Sequence, residues 1–383
     1  MFGQMSRGSR PLNSAASDDS HLTTAALPTR AARPKIARMP HDLLYLVVAI
    51  LAFGFGFATQ RGSVCGVLAA RQIVETGRAS RLVAFVTASL WALVVIVPLA
   101  WLAPGRFILG SFTLGTSQVG AALALAGGAL YGLGTIINGA CVFGTASRVL
   151  SGNVSFAMAL PGIAIGAGLA GTLGLPLWHA NPTASPLHEP SLAAFVLLLV
   201  AAIAVMTALI NIVRSYHRAG LGFSPALRAA RWRTSMAMMI IGILGGALFA
   251  GGGPWSYPTF LRQAGNIAFG RPGSFDVVTI VGPLALVAGG VFSALTGGRF
   301  AWRPVSVPQI GRSLVGGVIM GIAATIIPGG NDVLLLSGLP SLSLHAALAY
   351  PAMVVTQIAL LVAAKQWKVR SSQRPSTSPP SSG

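Results

Sequence analysis

Apolar residues fall along this chain in nine long runs, separated by short polar or Gly/Pro-rich breaks. The runs are Leu43–Gln60, Leu82–Leu102, Val119–Ile137, Phe156–Leu175, Leu192–Val213, Ser235–Ala250, Phe275–Leu295, Ile310–Ile327 and Leu344–Ala364. Each is close to the length of about 20 residues that crosses a bilayer as a helix. Four further apolar pieces, Val64–Glu75, Cys141–Leu150, Ser256–Ala264 and Asn331–Leu336, are too short to span. Each follows a Gly- or Pro-broken end of a longer run. That pattern predicts re-entrant half-helices; kinked or interfacial segments are the plainer alternative.

The short pieces belong to an internal repeat. An offset of 191 places Gly54 on Gly245, Cys65 on Ser256, Arg71 on Arg262 and Gln72 on Gln263. An offset of 190 places Thr135-Ile136-Ile137-Asn138-Gly139 on Thr325-Ile326-Ile327-Pro328-Gly329, and 189 places Gly127-Gly128 on Gly316-Gly317. Each unit reads span, half-helix, span, span, half-helix, span. One extra span, Leu192–Val213, lies between them. Five crossings then precede the second unit, so the two units enter the membrane from opposite sides. The expected fold is an all-α polytopic membrane protein, with about nine transmembrane helices and four re-entrant half-helices in an inverted-topology repeat.

The domain reading follows. Residues 1–40 form a disordered tail, 41–175 the first repeat, 176–233 a linking span and basic loop, 234–365 the second repeat, and 366–383 a second disordered tail. Both tails are Ser/Pro-rich and lack apolar runs. The first has no secretory apolar core. Met39 stands directly before the first span and is the expected true start.

Composition narrows the class. The 383 residues are 54% hydrophobic and 9% charged, against about 25% charged in soluble domains. The net charge of +19 resembles that of a nucleic-acid binder, but the basic residues sit between apolar runs, so no nucleic-acid partner is expected. Of the 26 Lys and Arg, 17 fall on one side of the expected membrane and nine on the other. The loop with Arg214, Arg218, Arg228, Arg231 and Arg233 is the clearest cytoplasmic marker. This predicts a multi-pass membrane protein with its N-terminus outside and its C-terminus in the cytoplasm.

Candidate chemistry gathers at the half-helix starts. Small-residue turns there precede helix N-termini, whose free N–H groups and dipoles suit an anion near the midplane. Both cysteines, Cys65 and Cys141, stand in these turns. A thiol is a weak S–H donor suited to a polarizable sulfur partner, or simply a small buried hydrophobe. Two cysteines without a Cys-x-x-Cys spacing give no disulfide framework. Asn138, Ser256 and Asn331 add hydrogen-bonding groups at matched turns. Asp332 is the only acid in such a turn, where it takes up a proton or caps the short helix. Arg71 and Arg262 line anion-attracting vestibules or snorkel to headgroups. No His stands at ligand spacing, so neither a metal nor a cofactor is expected. The Gly pairs serve close helix packing.

Three motifs carry a resemblance. Phe57-Ala58-Thr59-Gln60-Arg61-Gly62-Ser63-Val64-Cys65, Asn138-Gly139-Ala140-Cys141-Val142-Phe143-Gly144-Thr145 and Pro328-Gly329-Gly330-Asn331-Asp332 resemble the motifs of the YeeE/YedE sulphur-transport family over about residues 42–365. The resemblance implies an inner-membrane protein of nine spans plus short half-helices, with cavities on both faces and a constricted centre. It also implies uptake of thiosulfate or a related small sulfur-containing anion, passed along by transient S–H hydrogen bonds at Cys65 and Cys141. Such a protein is not an enzyme, and a soluble cytoplasmic sulfur-carrier protein is a possible partner. A third cysteine found in thiosulfate-importing members is absent; Asn331 and Ser256 hold the repeat-equivalent places. Three rival readings stand beside this one. They are a membrane thiol oxidoreductase using Cys65 and Cys141, a channel or permease for a different small solute, and a membrane anchor for a soluble partner.

Overall fold

The computed structural model describes residues 41–372 except 105–106, 108, 110–117, 176–184, 221–222, 252, 254 and 328. The expected tails at 1–40 and 373–383 therefore lie outside the described residues, as does Pro328 of the third motif. The elements are helical: α1 (His41–Gly62), α2 (Gly66–Thr76), α3 (Ser80–Leu102), α4 (Gln118–Asn138), α5 (Val142–Leu150), α6 (Ala159–Thr172) and α7 (Leu192–His217). They continue as α8 (Phe223–Arg228), α9 (Thr234–Gly251), α10 (Tyr257–Ala268), α11 (Val277–Thr296), α12 (Val307–Ile326), α13 (Asn331–Val333) and α14 (Leu344–Ser372). A 3-10 turn (Val154–Met158) leads into α6, and a π turn (Leu334–Gly338) extends α13.

Among the described residues, nine helices are long and apolar enough to cross a membrane. They coincide with the nine apolar runs. The short elements α2, α5, α10 and α13 with its π turn fall on the four short pieces. The last helix runs on to Ser372, past the expected boundary at 365.

The two sets of six helices pack in matching ways. α1 packs on α11 as α9 packs on α3; α6 packs on α12 as α14 packs on α4; α6 meets α10 as α14 meets α2. The pairs α1–α9 and α4–α12 join equivalent helices of the two sets. Glycines set the close crossings, because in a membrane helices associate through backbone approach rather than the hydrophobic effect. Gly56 and Gly289 bring α1 onto α11, with the bare Cα atoms against the Leu286 and Phe53 carbonyls. At the equivalent crossing, Gly242 faces the Ala88 carbonyl and Gly246 the Ala92 backbone. α7 has no counterpart. It packs chiefly on α3 and leaves Leu199, Ile203 and Met206 exposed, as a lipid-facing helix would.

Direction follows from neighbours. Gly62 lies beside Ala237 and Gly54 beside Leu244, so α1 and α9 are antiparallel. Consecutive long helices alternate in this way. The C-terminal ends of α1, α4, α7, α11 and α14 therefore share one face, called face I below.

Candidate functional site

The thiol pair is built by two chain reversals. After α1, Ser63 takes a left-handed conformation (φ 46°), Val64 N–H donates to the Thr59 carbonyl at 3.3 Å, and Cys65 is extended as the N-cap of α2. After α4, Gly139 supplies a φ of 79° that a side chain would resist. Asn138 Nδ2 then donates to the Ala140 carbonyl and to Thr145 Oγ1, both at 2.8 Å. Those bonds tie the turn to α5, and Cys141 becomes the extended N-cap of α5.

The two thiols meet. Cys141 Sγ lies 3.8 Å from Cys65 Sγ and accepts the Gly66 N–H at 3.0 Å. Cys65 is 4% exposed and Cys141 fully buried. Gly144 makes the approach possible, since a Cβ there would stand 2.5 Å from Cys65 Sγ.

Cys65 opens toward face I into a cavity of about 490 Å³. Arg148, Arg231, Arg299 and Arg303 line it together with Ser63, and none of its lining residues is acidic. Separate segments deliver these arginines. Arg148 ends α5, donating to the Gly139 carbonyl at 2.8 Å and lying 4.4 Å over the Phe156 ring. The loop between α11 and α12 is pinned to the end of α5 through Ala301 N–H to the Ser151 carbonyl (3.1 Å) and Arg303 N–H to the Gly152 carbonyl (3.2 Å). Arg299 donates to the Gln60 carbonyl at 2.9 Å and to Ser63 Oγ. Trp232 N–H donates to the Arg61 carbonyl at 3.1 Å and so places Arg231. Burial, then the neighbouring Arg231 and Arg61, pull Arg299 below the ordinary arginine range. Guanidinium groups stay charged in proteins, so four cations around one void leave a repulsion that a bound anion relieves.

A second cavity, about 590 Å³, also opens on face I, along the opposite side of α2. Arg71, Arg312, Lys365 and Lys368 line it with Glu75. Arg71 thus sits in a basic vestibule, in a loose pair with Glu75 at 3.9 Å. Its repeat-mate Arg262 lies half-buried on α10 and lines none of the cavities described here. Both of these basic cavities lie on face I.

Beyond the thiols, the second repeat's short helices approach. Tyr257 OH donates to the Val142 carbonyl at 2.6 Å, linking the start of α10 to that of α5. A small void of about 10 Å³ remains there, lined by Thr59, Val142, Trp255, Ser256, Tyr257 and Asp332 among others. Ser256 Oγ lies 3.0 Å from Thr259 Oγ1. Asn331 and Asp332 are buried, and neither side chain has a hydrogen-bond partner. The structure therefore joins Cys65 to Cys141 and Ser256 to Asp332, while the Asn138 amide nitrogen is committed to its turn.

Sequence reading missed Arg148, Arg231, Arg299, Arg303, Trp255 and Tyr257. The arginines had been read only as markers of orientation. Arg61, inside the first motif, holds loops: it donates to the Ala229 carbonyl at 3.2 Å and to Thr296 Oγ1 at 3.0 Å.

An all-helical chain with nine candidate spans, packed around a buried thiol pair and a basic cavity, is a polytopic membrane protein. A family model described as sulphur transport matches residues 61–359, and the chain belongs to that family. The family makes it a transporter of sulfur compounds. No curated protein matches the chain.

Proposed function

We propose that the chain imports thiosulfate or a related small sulfur-containing anion across the inner membrane, with face I toward the cytoplasm. The carrying observation is the thiol pair, 3.8 Å apart, with Cys65 opening into a cavity lined by four arginines and no acid. The anion's path runs past Ser256, Asp332 and Asn331, then Cys141, then Cys65, and out through the arginine cavity. Each thiol offers S–H to the anion in turn, a weak bond that is quickly broken. Weak successive contacts suit conduction, which needs favourable capture and ready release. The α2 and α5 N-termini add the positive ends of their helix dipoles at the same point. The N-terminus lies outside and the C-terminus inside, in line with the 17-to-9 division of Lys and Arg expected from the sequence. Residues 41–175 and 234–365 form the two inverted units, and α2, α5, α10 and α13 are re-entrant. A soluble sulfur carrier would collect the product at the arginine cavity.

The test is growth and labelled-thiosulfate uptake in a strain lacking other sulfur uptake, with this chain supplied in wild-type, Cys65→Ala and Cys141→Ala forms. Uptake that depends on the chain and falls in both variants supports the reading. Unchanged uptake in both variants sinks the thiol role.

The thiol separation also favours a second reading, a reversible disulfide in a membrane thiol oxidoreductase. Closing 3.8 Å to the bonded distance of about 2.05 Å takes a modest shift of two turns. Thiol alkylation that changes with the redox state of a quinone pool, without anion uptake, would select it.

A further inference from the structure

We propose that Asp332 couples passage of the anion to a proton. It is loaded as the neutral acid together with the anion, and its proton returns to water on the opposite face once the anion has left. This rests on the function proposed above and adds its energy source.

Geometry carries the inference. The Asp332 side chain is 2% exposed, and neither carboxylate oxygen has a hydrogen-bond partner. Asp332 is not the N-cap of α13; that place belongs to Gly330, which has no side chain. Ser256 Oγ and the N–H groups of Asp332 and Val333 lie nearest, yet none closes a hydrogen bond. The carboxyl instead faces the small void that also touches Val142, the residue following Cys141. Trp255 Nε1, from another residue lining that void, is likewise buried and unpartnered. Unpaired polar groups around a closed void mark a place built to be occupied in another state. At about 10 Å³ the void holds at most one water, so this state is shut to the anion.

The charged and titratable groups around Asp332 are few. Tyr131 comes from α4, Tyr257 and Arg262 from α10, and Cys141 from the N-cap of α5. Arg262 is a cation whose field reaches it, and among the described residues no ion pair joins the two. An ionised carboxylate here would be desolvated, unpaired and set directly in the path of an anion. Two like charges held close together in so poorly screened a site repel each other strongly. The neutral acid reverses the sign, because its O–H donates a charge-assisted bond to the anion. Anion and proton therefore favour each other's binding at this point, and linkage makes the preference mutual.

The experiment uses the full chain in proteoliposomes containing a pH-sensitive dye, with valinomycin and potassium holding the voltage at zero. An inward thiosulfate gradient is applied at equal pH on both sides, and labelled-thiosulfate exchange is measured in parallel. The expected result is lumenal acidification with thiosulfate entry, on the order of one proton per anion. Asp332→Asn, whose amide N–H can still meet the anion, is expected to exchange labelled thiosulfate at a reduced rate, with no acidification and no pH dependence. Wild-type thiosulfate entry without acidification overturns the coupling and leaves the function standing, whatever the variant does. Acidification that persists in an exchanging Asp332→Asn protein also overturns it. A wild-type protein that exchanges no thiosulfate overturns the function, and the coupling with it.

Discussion

Gly144→Ala changes the thiol pair without touching a thiol. The added Cβ would stand 2.5 Å from Cys65 Sγ, 2.9 Å from Cys65 Cβ and 3.3 Å from the Ala140 Cβ. Ordinary contact needs about 3.5–4.0 Å, so the sulfur must retreat by roughly 1 Å or more. Turning the thiol aside does not suffice, because the Cys65 Cβ is also too near. The N-terminus of α2 must therefore shift away from α5. Overpacking of this kind costs about 1–3 kcal/mol of stability. The sulfurs, now 3.8 Å apart, would pass beyond the reach of an S–H contact. Losing one hydrogen bond of about 0.5–1.5 kcal/mol from the path slows transport about two- to tenfold. The assay is the initial rate of thiosulfate uptake at matched protein levels, beside the yield of Cys65–Cys141 cross-linking by a very short bifunctional thiol reagent. Both are expected to fall while the protein stays folded by detergent-stability measurement. An uptake rate within error of wild type, with the cross-link diminished, would refute the idea that the thiols must touch for the anion to pass.

Arg299→Gln removes a cavity cation and its contacts to Gln60 and Ser63; uptake is expected to need severalfold more thiosulfate, with a weaker dependence on ionic strength, in a salt titration of initial rates. Arg61→Lys loses the fork that bridges Ala229 and Thr296. Thermal unfolding in detergent should show destabilisation of about 1–2 kcal/mol, with the thiosulfate concentration dependence unchanged. Gly289→Val sets a branched side chain onto the Phe53 carbonyl at the α1–α11 crossing; membrane fractions should contain little folded protein. Arg71→Gln breaks only the exposed pair with Glu75, so stability should move by no more than about 0.5 kcal/mol in the same unfolding assay.

The spans were legible because bilayer thickness imposes a length on any apolar helix, and runs such as Leu192–Val213 leave no alternative. The short helices were legible because Gly and Pro cut the apolar pattern before it reached that length. The thiol pair was half-legible. Cys65 and Cys141 each stand in the turn before a short helix, but their contact depends on Gly144, whose role is visible only once α5 lies against α2. The arginine cavity was not legible, since Arg148, Arg231, Arg299 and Arg303 meet through loop pairings such as Arg299 with Gln60, 239 residues apart in sequence. A repeat equates positions along the chain, as it does Arg71 and Arg262, whereas a cavity lining depends on which loops fold over it.

The crossed packing has a consequence for how the protein is made. α1 finds its main partner in α11, α3 in α9, and α6 in α12, each in the other half of the sequence. When the ribosome has released the first six helices, their glycine-lined faces have no mates. They must be held in the lipid until α9–α14 arrive. Neither half is a self-sufficient folding unit, so assembly depends on membrane insertion machinery that keeps an early half unaggregated. Two separately expressed halves should be degraded alone and rescued together.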